Sequence, residues 1–329
     1  MENPISLKGR SLLTLEDLSP AELQWLLALA AELKDQKRRE IRGNRLAGKN
    51  IALLFEKMST RTRCAAGVAA FDEGGHAEYL SADEIHLGKK ESVRDTARVL
   101  GRMFHGILFR GYRQATVECL ARYSGVPVWN GLTDDSHPTQ ALADLLTIRE
   151  SFGKLAGLKA VYIGDGRNNV ANSLMMACAY TGMDFVNCAP PELTPRADLI
   201  RRAAKVAAQT GGSVAVAHEP AAAVTGANVL YTDVWVSMGE EAKSAERERM
   251  LRPYQVSMDL VKQTGHLADG RCIFLHCLPA FHDENTDVTR ATGAMEVTDE
   301  VFEAPFSKVF DEAENRVHTM KAMFVATLA

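Results

Sequence analysis

The stretch Asn50-Ile51-Ala52-Leu53-Leu54-Phe55-Glu56-Lys57-Met58-Ser59-Thr60-Arg61-Thr62-Arg63 joins an unbroken apolar run to residues suited to open a helix. Residues 50–55 read as a strand buried on both faces, and Ser59 and Thr60 are good N-cap residues for a helix over 61–74. A strand that feeds a helix directly is the repeating unit of a parallel sheet, and the same alternation continues outward. A strand at 77–80, a helix at 91–103, a strand at 106–110, a helix at 115–124, a strand at 126–130 and a helix at 138–152 follow. The cycle restarts with a strand at 159–164, a helix at 168–181, a strand at 184–189 and a helix at 195–210. A strand at 213–217, a helix at 219–225, strands at 228–234 and 272–276 and a last helix from 311 complete it. This pattern predicts an α/β fold of two doubly wound parallel-sheet domains. The break after Phe152-Gly153-Lys154 puts the domains at 1–150 and 151–329, with the helix over 311–329 packing back on the first. Ligands of such folds sit beyond the carboxyl ends of the strands, so the active site is expected in the cleft between the domains.

Composition narrows the function. The chain has 329 residues, about two domains' worth, with 46% hydrophobic and 24% charged residues. Those fractions exclude a disordered or fibrous chain. A formal net charge of -4 offers no general attraction to nucleic acid. No apolar run reaches the roughly 18 residues of a membrane span, and the N-terminus lacks a signal-peptide core. Six scattered cysteines with no CxxC pair suit reduced thiols. A cytoplasmic protein is expected, without membrane or nucleic-acid partners. The basic stretch from Lys34 to Lys49 has no interleaved aromatics and reads as a solvated helical face.

Six strand-end motifs carry the chemistry. Ser59-Thr60-Arg61-Thr62-Arg63 combines hydroxyls, two guanidiniums and the free N–H groups of a helix N-terminus, which favours an anion site over an ordinary capped helix with solvated arginines. Arg110 ends a strand in Phe109-Arg110-Gly111-Tyr112, where alone it would be an ordinary surface arginine. In His137-Pro138-Thr139-Gln140 the proline suits a first helical turn, so His137 stands at the helix mouth with Gln140 one turn on. A histidine there can donate to a carbonyl oxygen and a glutamine can bind an amide; a histidine capping its own loop fits equally well. Gly164-Asp165-Gly166-Arg167-Asn168-Asn169 imitates a dinucleotide fingerprint but has Asn169 where the third glycine belongs. Its asparagines can cap the helix or bind an amino-acid zwitterion. Asp233, followed by Ser237-Met238-Gly239, offers a carboxylate for an ammonium group, or a simple loop cap. His276-Cys277-Leu278-Pro279 with His282 lacks a fourth metal ligand at standard spacing; Cys277 reads as a contact to a small ligand or a nucleophile needing a base. Arg316 adds either a further anion ligand or a plain surface arginine. By spacing alone these motifs describe a transferase acting on a phosphorylated small molecule.

Taken jointly, FEKMSTRTR, KKESVRDTARVLGRM, FRGY, VPVWNGLTDDSHPTQ, IGDGRNN, YTDVWVSMGE, HCLPAFHD and FDEAENR resemble the aspartate/ornithine carbamoyltransferase family, and within it the ornithine enzymes. The resemblance spans residues 8–328. It implies transfer of a carbamoyl group from carbamoyl phosphate to the side-chain amine of L-ornithine, giving L-citrulline and phosphate. That reaction belongs to arginine metabolism and amino-acid biosynthesis, and its direction stays open. The resemblance implies that Ser59, Thr60, Arg61, Thr62, Arg110, His137, Gln140, Cys277, Leu278 and Arg316 bind carbamoyl phosphate. It implies that Asn169, Asp233, Ser237 and Met238 bind ornithine. Arg61, Arg110, His137, Asp233 and Cys277 are then the catalytic set, with no metal or organic cofactor. A homotrimer or an assembly of trimers is implied as well. Putrescine, N-acetylornithine or aspartate as acceptor, a nicotinamide-dependent dehydrogenase, and a non-catalytic ligand-binding regulator are the competing readings.

One residue departs from the pattern. In Asp83-Glu84-Ile85-His86-Leu87-Gly88 the family usually has a glutamine where His86 stands, in a loop that reaches a neighbouring subunit's carbamoyl phosphate. An imidazole there adds a proton equilibrium near neutral pH. His86→Gln is therefore expected to change the affinity for carbamoyl phosphate or its pH profile, measured by steady-state kinetics from pH 6 to 9.

Overall fold

The computed structural model describes residues 5–81, 85, 87–88, 90–236 and 244–329. The chain forms two compact units, Met1–Leu146 with Glu314–Ala329, and Thr147–Ala313. Every strand of both sheets is parallel to its neighbours.

In the first unit β1 (Asn50–Phe55), β2 (His76–Ser81), β3 (Gly106–Arg110) and β4 (Val128–Leu132) lie in the order β2-β1-β3-β4. β1 is buried from Ile51 to Phe55, as a strand with helices on both faces must be. Helices α1 (Pro20–Arg38), α2 (Thr60–Asp72), α3 (Val93–Met103), α4 (Gln114–Ser124) and α5 (Pro138–Phe152) surround the sheet. Strand order reverses between β1 and β3, which is where a doubly wound sheet opens a crevice beyond its strand ends. The loop after β1 is the Glu56–Ser59 segment, so the hydroxyl-rich turn that marks the sequence stands at this switch point. The unit boundary lies inside α5, one turn before the expected position near residue 150, because this helix is buried almost throughout its length.

Helix α1 has no counterpart in the strand-by-strand sequence reading. It opens on Ser19, whose hydroxyl accepts from the Glu22 N–H while the Glu22 carboxylate accepts from the Ser19 N–H, with Pro20 at its first position. That capping box was legible in Ser19-Pro20-Ala21-Glu22. The stretch from Lys34 to Lys49 is not a solvated helical face: α1 ends at Arg38, and Lys34 is buried with its Nζ 2.7 Å from Asn315 Oδ1. A buried ammonium needs such a partner.

The C-terminal helix (Val309–Leu328) carries its Glu314–Ala329 portion in the first unit. Phe324 packs on Trp129 of β4 with ring centroids 4.6 Å apart, and the Trp129 indole N–H donates to Thr327 Oγ1 at 3.2 Å. Lys321 pairs with Asp72 at the end of α2, 2.6 Å away. The anchoring is aromatic at one end and ionic in the middle, so the position of Arg316 in this helix is set by both.

The second unit has β5 (Lys159–Ile163), β6 (Asp184–Cys188), β7 (Ser213–Ala217), β8 (Val229–Thr232) and β9 (Ile273–His276), in the order β7-β6-β5-β8-β9. Helices α6 (Asn169–Thr181) and α7 (Ala197–Thr210) follow β5 and β6. Met175 and Met176 of α6 are both buried, as core residues. Here the order reverses between β5 and β8. β8 ends at Thr232 rather than 234, which puts Asp233 just beyond the strand, where it can face a ligand. One side of the sheet is filled by Val161, Ile163, Leu230, Phe274 and Trp235.

Truncating Phe324 removes the aromatic anchor of the C-terminal helix. Phe324→Ala is expected to lower stability by about 3–5 kcal/mol, read from the midpoint of urea unfolding.

Candidate functional site

The first unit concentrates donors at the N-terminus of α2. Ser59 is extended and caps the helix, its hydroxyl accepting from the Thr62 N–H at 3.2 Å. No acidic residue occupies the first turn. The remaining N–H groups and the positive end of the helix dipole are therefore left to an anion. Thr60 is exposed at the first helical position, Arg61 is half-buried, and Thr62 is fully buried.

Thr62 is the hub. Its Oγ1 accepts from Arg316 Nη2 at 3.0 Å and lies 3.4 Å from Arg110 Nη1. Arg110 is the last residue of β3, beside a register shift that pairs it with Leu132. Arg316 is 2% exposed, and its Nη1 donates to Gln140 Oε1 at 2.5 Å. The Gln140 Nε2 in turn donates to Asp144 Oδ1 at 2.9 Å. His137 precedes Pro138 and is buried, with Nδ1 3.4 Å from Thr139 Oγ1. Burial, then the charges of Arg316, Arg110 and Arg61, hold its pKa well below 6.5, so the imidazole is neutral at physiological pH. Each residue expected to hold carbamoyl phosphate from Ser59 to Gln140, together with Arg316 but leaving His86 aside, lies in this one unit. His86 lies outside the described residues.

The second unit builds its cluster at the β5/β8 switch point. Gly164 follows β5 directly, with φ +142, a conformation that favours glycine. Asn168 caps α6 by accepting from the Val170 N–H at 2.7 Å, and Asn169 is the first helical residue. Asp165 is a buried carboxylate held by Arg167 at 2.9 Å and Arg247 at 3.7 Å. Asp233 follows β8 and is 7% exposed; its Oδ1 accepts from the Val234 N–H at 2.8 Å and from the Cys277 thiol at 3.1 Å. Burial is the largest influence on Asp233 and raises its pKa above the usual carboxylate value. A buried carboxylate of that kind gains from an incoming cation. Ser237 and Met238 lie outside the described residues.

The Cys277 loop is held from beneath. The Leu278 N–H donates to His276 Nδ1 at 2.9 Å, so the ring proton belongs on Nε2, which faces Glu296 Oε1 at 3.2 Å. The same Glu296 oxygen accepts from the Phe281 N–H at 2.7 Å. Glu312 bridges the His276 N–H and the Tyr231 hydroxyl, each at 2.9 Å. Leu278 itself has φ +60 and precedes a cis proline. Asp233, His276 and Cys277 bring one candidate metal-ligand atom each within 4.8 Å of one another, but both nitrogens of His276 are engaged in the bonds above. His282 does not join them: it pairs with Asp299 at 2.7 Å and stacks on Phe302. Sequence reading did not single out Asp144, Glu296 or Glu312. Asp144 could have been found as the i+4 neighbour of Gln140 on α5, whereas nothing local in the sequence ties Glu296 or Glu312 to His276.

The comparisons with known proteins follow this division. Residues 10–150 match the aspartate/ornithine carbamoyltransferase carbamoyl-P binding domain, and residues 156–327 match the Asp/Orn binding domain of the same family. A catabolic ornithine carbamoyltransferase of Bacillus licheniformis is 57% identical, over 100% of this chain and 99% of the relative. One from Streptococcus gordonii, also named catabolic, is 57% identical over 98% of this chain and 96% of its own length. Among solved structures, ornithine carbamoyltransferase from Pyrococcus furiosus superposes with a TM-score of 0.91 at 44% identity, covering 98% of each chain.

Because His137 is held neutral in the folded chain but titrates near 6.5 when unfolded, the unfolded state takes up more protons below that value. Stability is expected to fall as pH drops below about 6.5. His137→Asn should flatten that slope, measured by urea unfolding at pH 5, 6 and 7.

Proposed function

We propose that this chain, which belongs to the aspartate/ornithine carbamoyltransferase family, transfers the carbamoyl group of carbamoyl phosphate to the side-chain amine of L-ornithine. The products are L-citrulline and phosphate, within arginine metabolism. The catabolic names of two relatives weigh towards the direction of arginine breakdown.

The observation that carries the reading is the donor cluster around Thr62 in the first unit. Its chemistry suits carbamoyl phosphate end by end. Ser59, Thr60, Arg61 and Thr62 offer the phosphate a helix N-terminus, hydroxyls and a guanidinium. Arg110 and neutral His137 are donors for the carbonyl oxygen, and the Gln140 carbonyl oxygen is an acceptor for the carbamoyl NH₂. Arg316 ties the two ends together through Thr62 and Gln140.

The second unit suits the acceptor. Asp233 is a buried carboxylate for an ornithine ammonium, and Asn169 at the start of α6 has the amide for its carboxylate. Ser237 and Met238 complete the proposed ornithine set. Cys277 and Leu278 belong to the proposed ligand set through the family resemblance. The ornithine side-chain ammonium first loses a proton, for which Asp233 and Cys277 are the groups at hand. The free amine nitrogen then bonds to the carbamoyl carbon, and the carbonyl oxygen takes up negative charge that Arg61, Thr62, Arg110 and His137 stabilise. The bond from that carbon to the bridging oxygen breaks, the electron pair leaves with phosphate at the α2 N-terminus, the carbonyl re-forms, and the extra proton on the citrulline nitrogen passes to the departing phosphate. None of these steps calls on a metal or organic cofactor.

A homotrimer or an assembly of trimers is part of this proposal. So is a cytoplasmic location, supported by six free thiols and by the absence, among the described residues, of any helix long and apolar enough to cross a membrane.

Purified protein with carbamoyl phosphate is expected to form citrulline from ornithine, and no carbamoylated product from putrescine, N-acetylornithine or aspartate. Turnover with another amine would replace the acceptor, and silence with all four would favour a binding protein. Arg61→Gly should keep the circular-dichroism spectrum and lower turnover by at least about 10²-fold; near-normal turnover would overturn the phosphate-site assignment.

A further inference from the structure

Three tyrosines among the described residues are buried: Tyr162, Tyr231 and Tyr254. Two of their hydroxyls have acceptors. Tyr231 donates to Glu312 Oε1 at 2.9 Å, and Tyr254 donates to the His218 carbonyl oxygen at 2.7 Å. Tyr162 is 0% exposed, its hydroxyl has no hydrogen-bond partner, and the reaction proposed above gives it no task. A buried hydroxyl without a partner costs the folded chain its lost hydration, so its place calls for a reason. Its position supplies one. Tyr162 of β5 pairs in register with Tyr231 of β8 across the reversal of strand order, and their rings stack with centroids 6.1 Å apart. Residues two apart share a sheet face. The register carried two residues on therefore sets Gly164 beside Asp233 on the face of both tyrosines. A β-carbon built on Gly164 would stand 3.9 Å from the Tyr162 hydroxyl oxygen, so the hydroxyl reaches the level of Gly164 and, with it, of Asp233. Burial first, then the charges of Asp233, Asp165, Cys277 and Glu296, raise its pKa well above the ordinary phenol value. It is an intact O–H, with one proton to donate and lone pairs to accept.

We propose that Tyr162 is a further contact for the acceptor amine: with ornithine bound, its oxygen accepts an N–H of the side-chain amino group and its O–H turns to Asp233. Asp233 is the proposed carboxylate for that amine, so the two groups meet one nitrogen from neighbouring strands. A hydroxyl suits this place for a chemical reason. The pull of a carboxylate on the amine weakens once the ammonium has lost its proton. A hydroxyl oxygen needs only an N–H, which ammonium and free amine both have. Tyr162 thus keeps the nitrogen placed through the step in which Asp233 loosens its hold. The amine also relieves the unpaired hydroxyl of the ligand-free chain. Gly164 belongs to the same arrangement, because any side chain there would stand over that hydroxyl. This inference rests on the reading of Asp233 as an ornithine ligand.

The test is Tyr162→Phe, which removes the hydroxyl and nothing else, assayed by citrulline formation with each substrate varied in turn. The kcat/KM for ornithine is expected to fall about tenfold, the worth of one good hydrogen bond. The KM for carbamoyl phosphate should change less than about twofold, since the phosphate contacts of the first unit are untouched. Without ligand, the variant should unfold at the same urea concentration as the unaltered protein or at a higher one, because it no longer buries an unpaired hydroxyl. Lost turnover without lost stability is a result that a hydroxyl serving only the fold cannot give. Unchanged ornithine kinetics would overturn the proposal, whichever way the urea midpoint moves. A lowered midpoint with both substrates affected alike would overturn it too, since that marks a structural hydroxyl. Failure of the underlying reading looks different: the unaltered protein itself would form no citrulline from ornithine, and this inference would fall with it.

Discussion

Like charge is crowded around one buried hydroxyl in the first unit, and much else follows from that constraint. Thr62 receives Arg316 and stands beside Arg110, at the end of a helix whose dipole is itself positive. Fixed cations at such a point repel one another at a low effective dielectric. The structure relieves them in two ways, since His137 stays neutral and Gln140 accepts from Arg316, while no acidic side chain fills the first turn of α2. What is left is a preorganised surplus of donors, which is the condition for stabilising a phosphate and a developing oxyanion without rearranging during the reaction.

The second unit solves the opposite problem. Its cluster is rich in carboxylates, with Asp233, Glu296 and Glu312 gathered below the end of β9. Glu312 and Glu296 are occupied by backbone N–H groups, the His276 ring and the Tyr231 hydroxyl. Asp233 accepts one N–H and one thiol on the same oxygen, and its burial raises its pKa. The result is a carboxylate ready for a cation, while its neighbours act as scaffolding. The Cys277 loop is shaped by that scaffolding, because its His276 tautomer is set by the Leu278 N–H.

The two units use the same architectural device. In each, a parallel sheet reverses strand order once, and the chain leaving the two strands at the reversal carries the polar cluster: β1 and β3 in one, β5 and β8 in the other. Gly164 and Ser59 are both strand-exit residues, one chosen for a positive φ and the other for its capping hydroxyl. Neighbouring helices then bring in the rest, α5 with His137 and Gln140 and the C-terminal helix with Arg316.

Local patterning was enough for the order of strands and helices, since short apolar runs such as 51–55 and 160–163, each followed by turn and capping residues, suit a strand covered on both faces. It was also enough for the motifs at strand exits, because an N-cap, a helix N-terminus and a strand-end arginine are properties of adjacent residues. It missed α1, whose capping box was legible, and misread Lys34, whose burial depends on a partner far along the chain. Contacts of that range could come only from tertiary structure. Arg316 meets Thr62 across 254 positions and Gln140 across 176, and Cys277 meets Asp233 across 44. The sequence alone determined which side chains were available and which end of each strand they would occupy. The tertiary structure decided which were brought within hydrogen-bonding reach, and thereby that His137 is neutral, that Asp233 is buried beside Cys277 and that Gln140 bridges Asp144 and Arg316, since charge and hydrogen bonding depend on distance in space rather than along the chain.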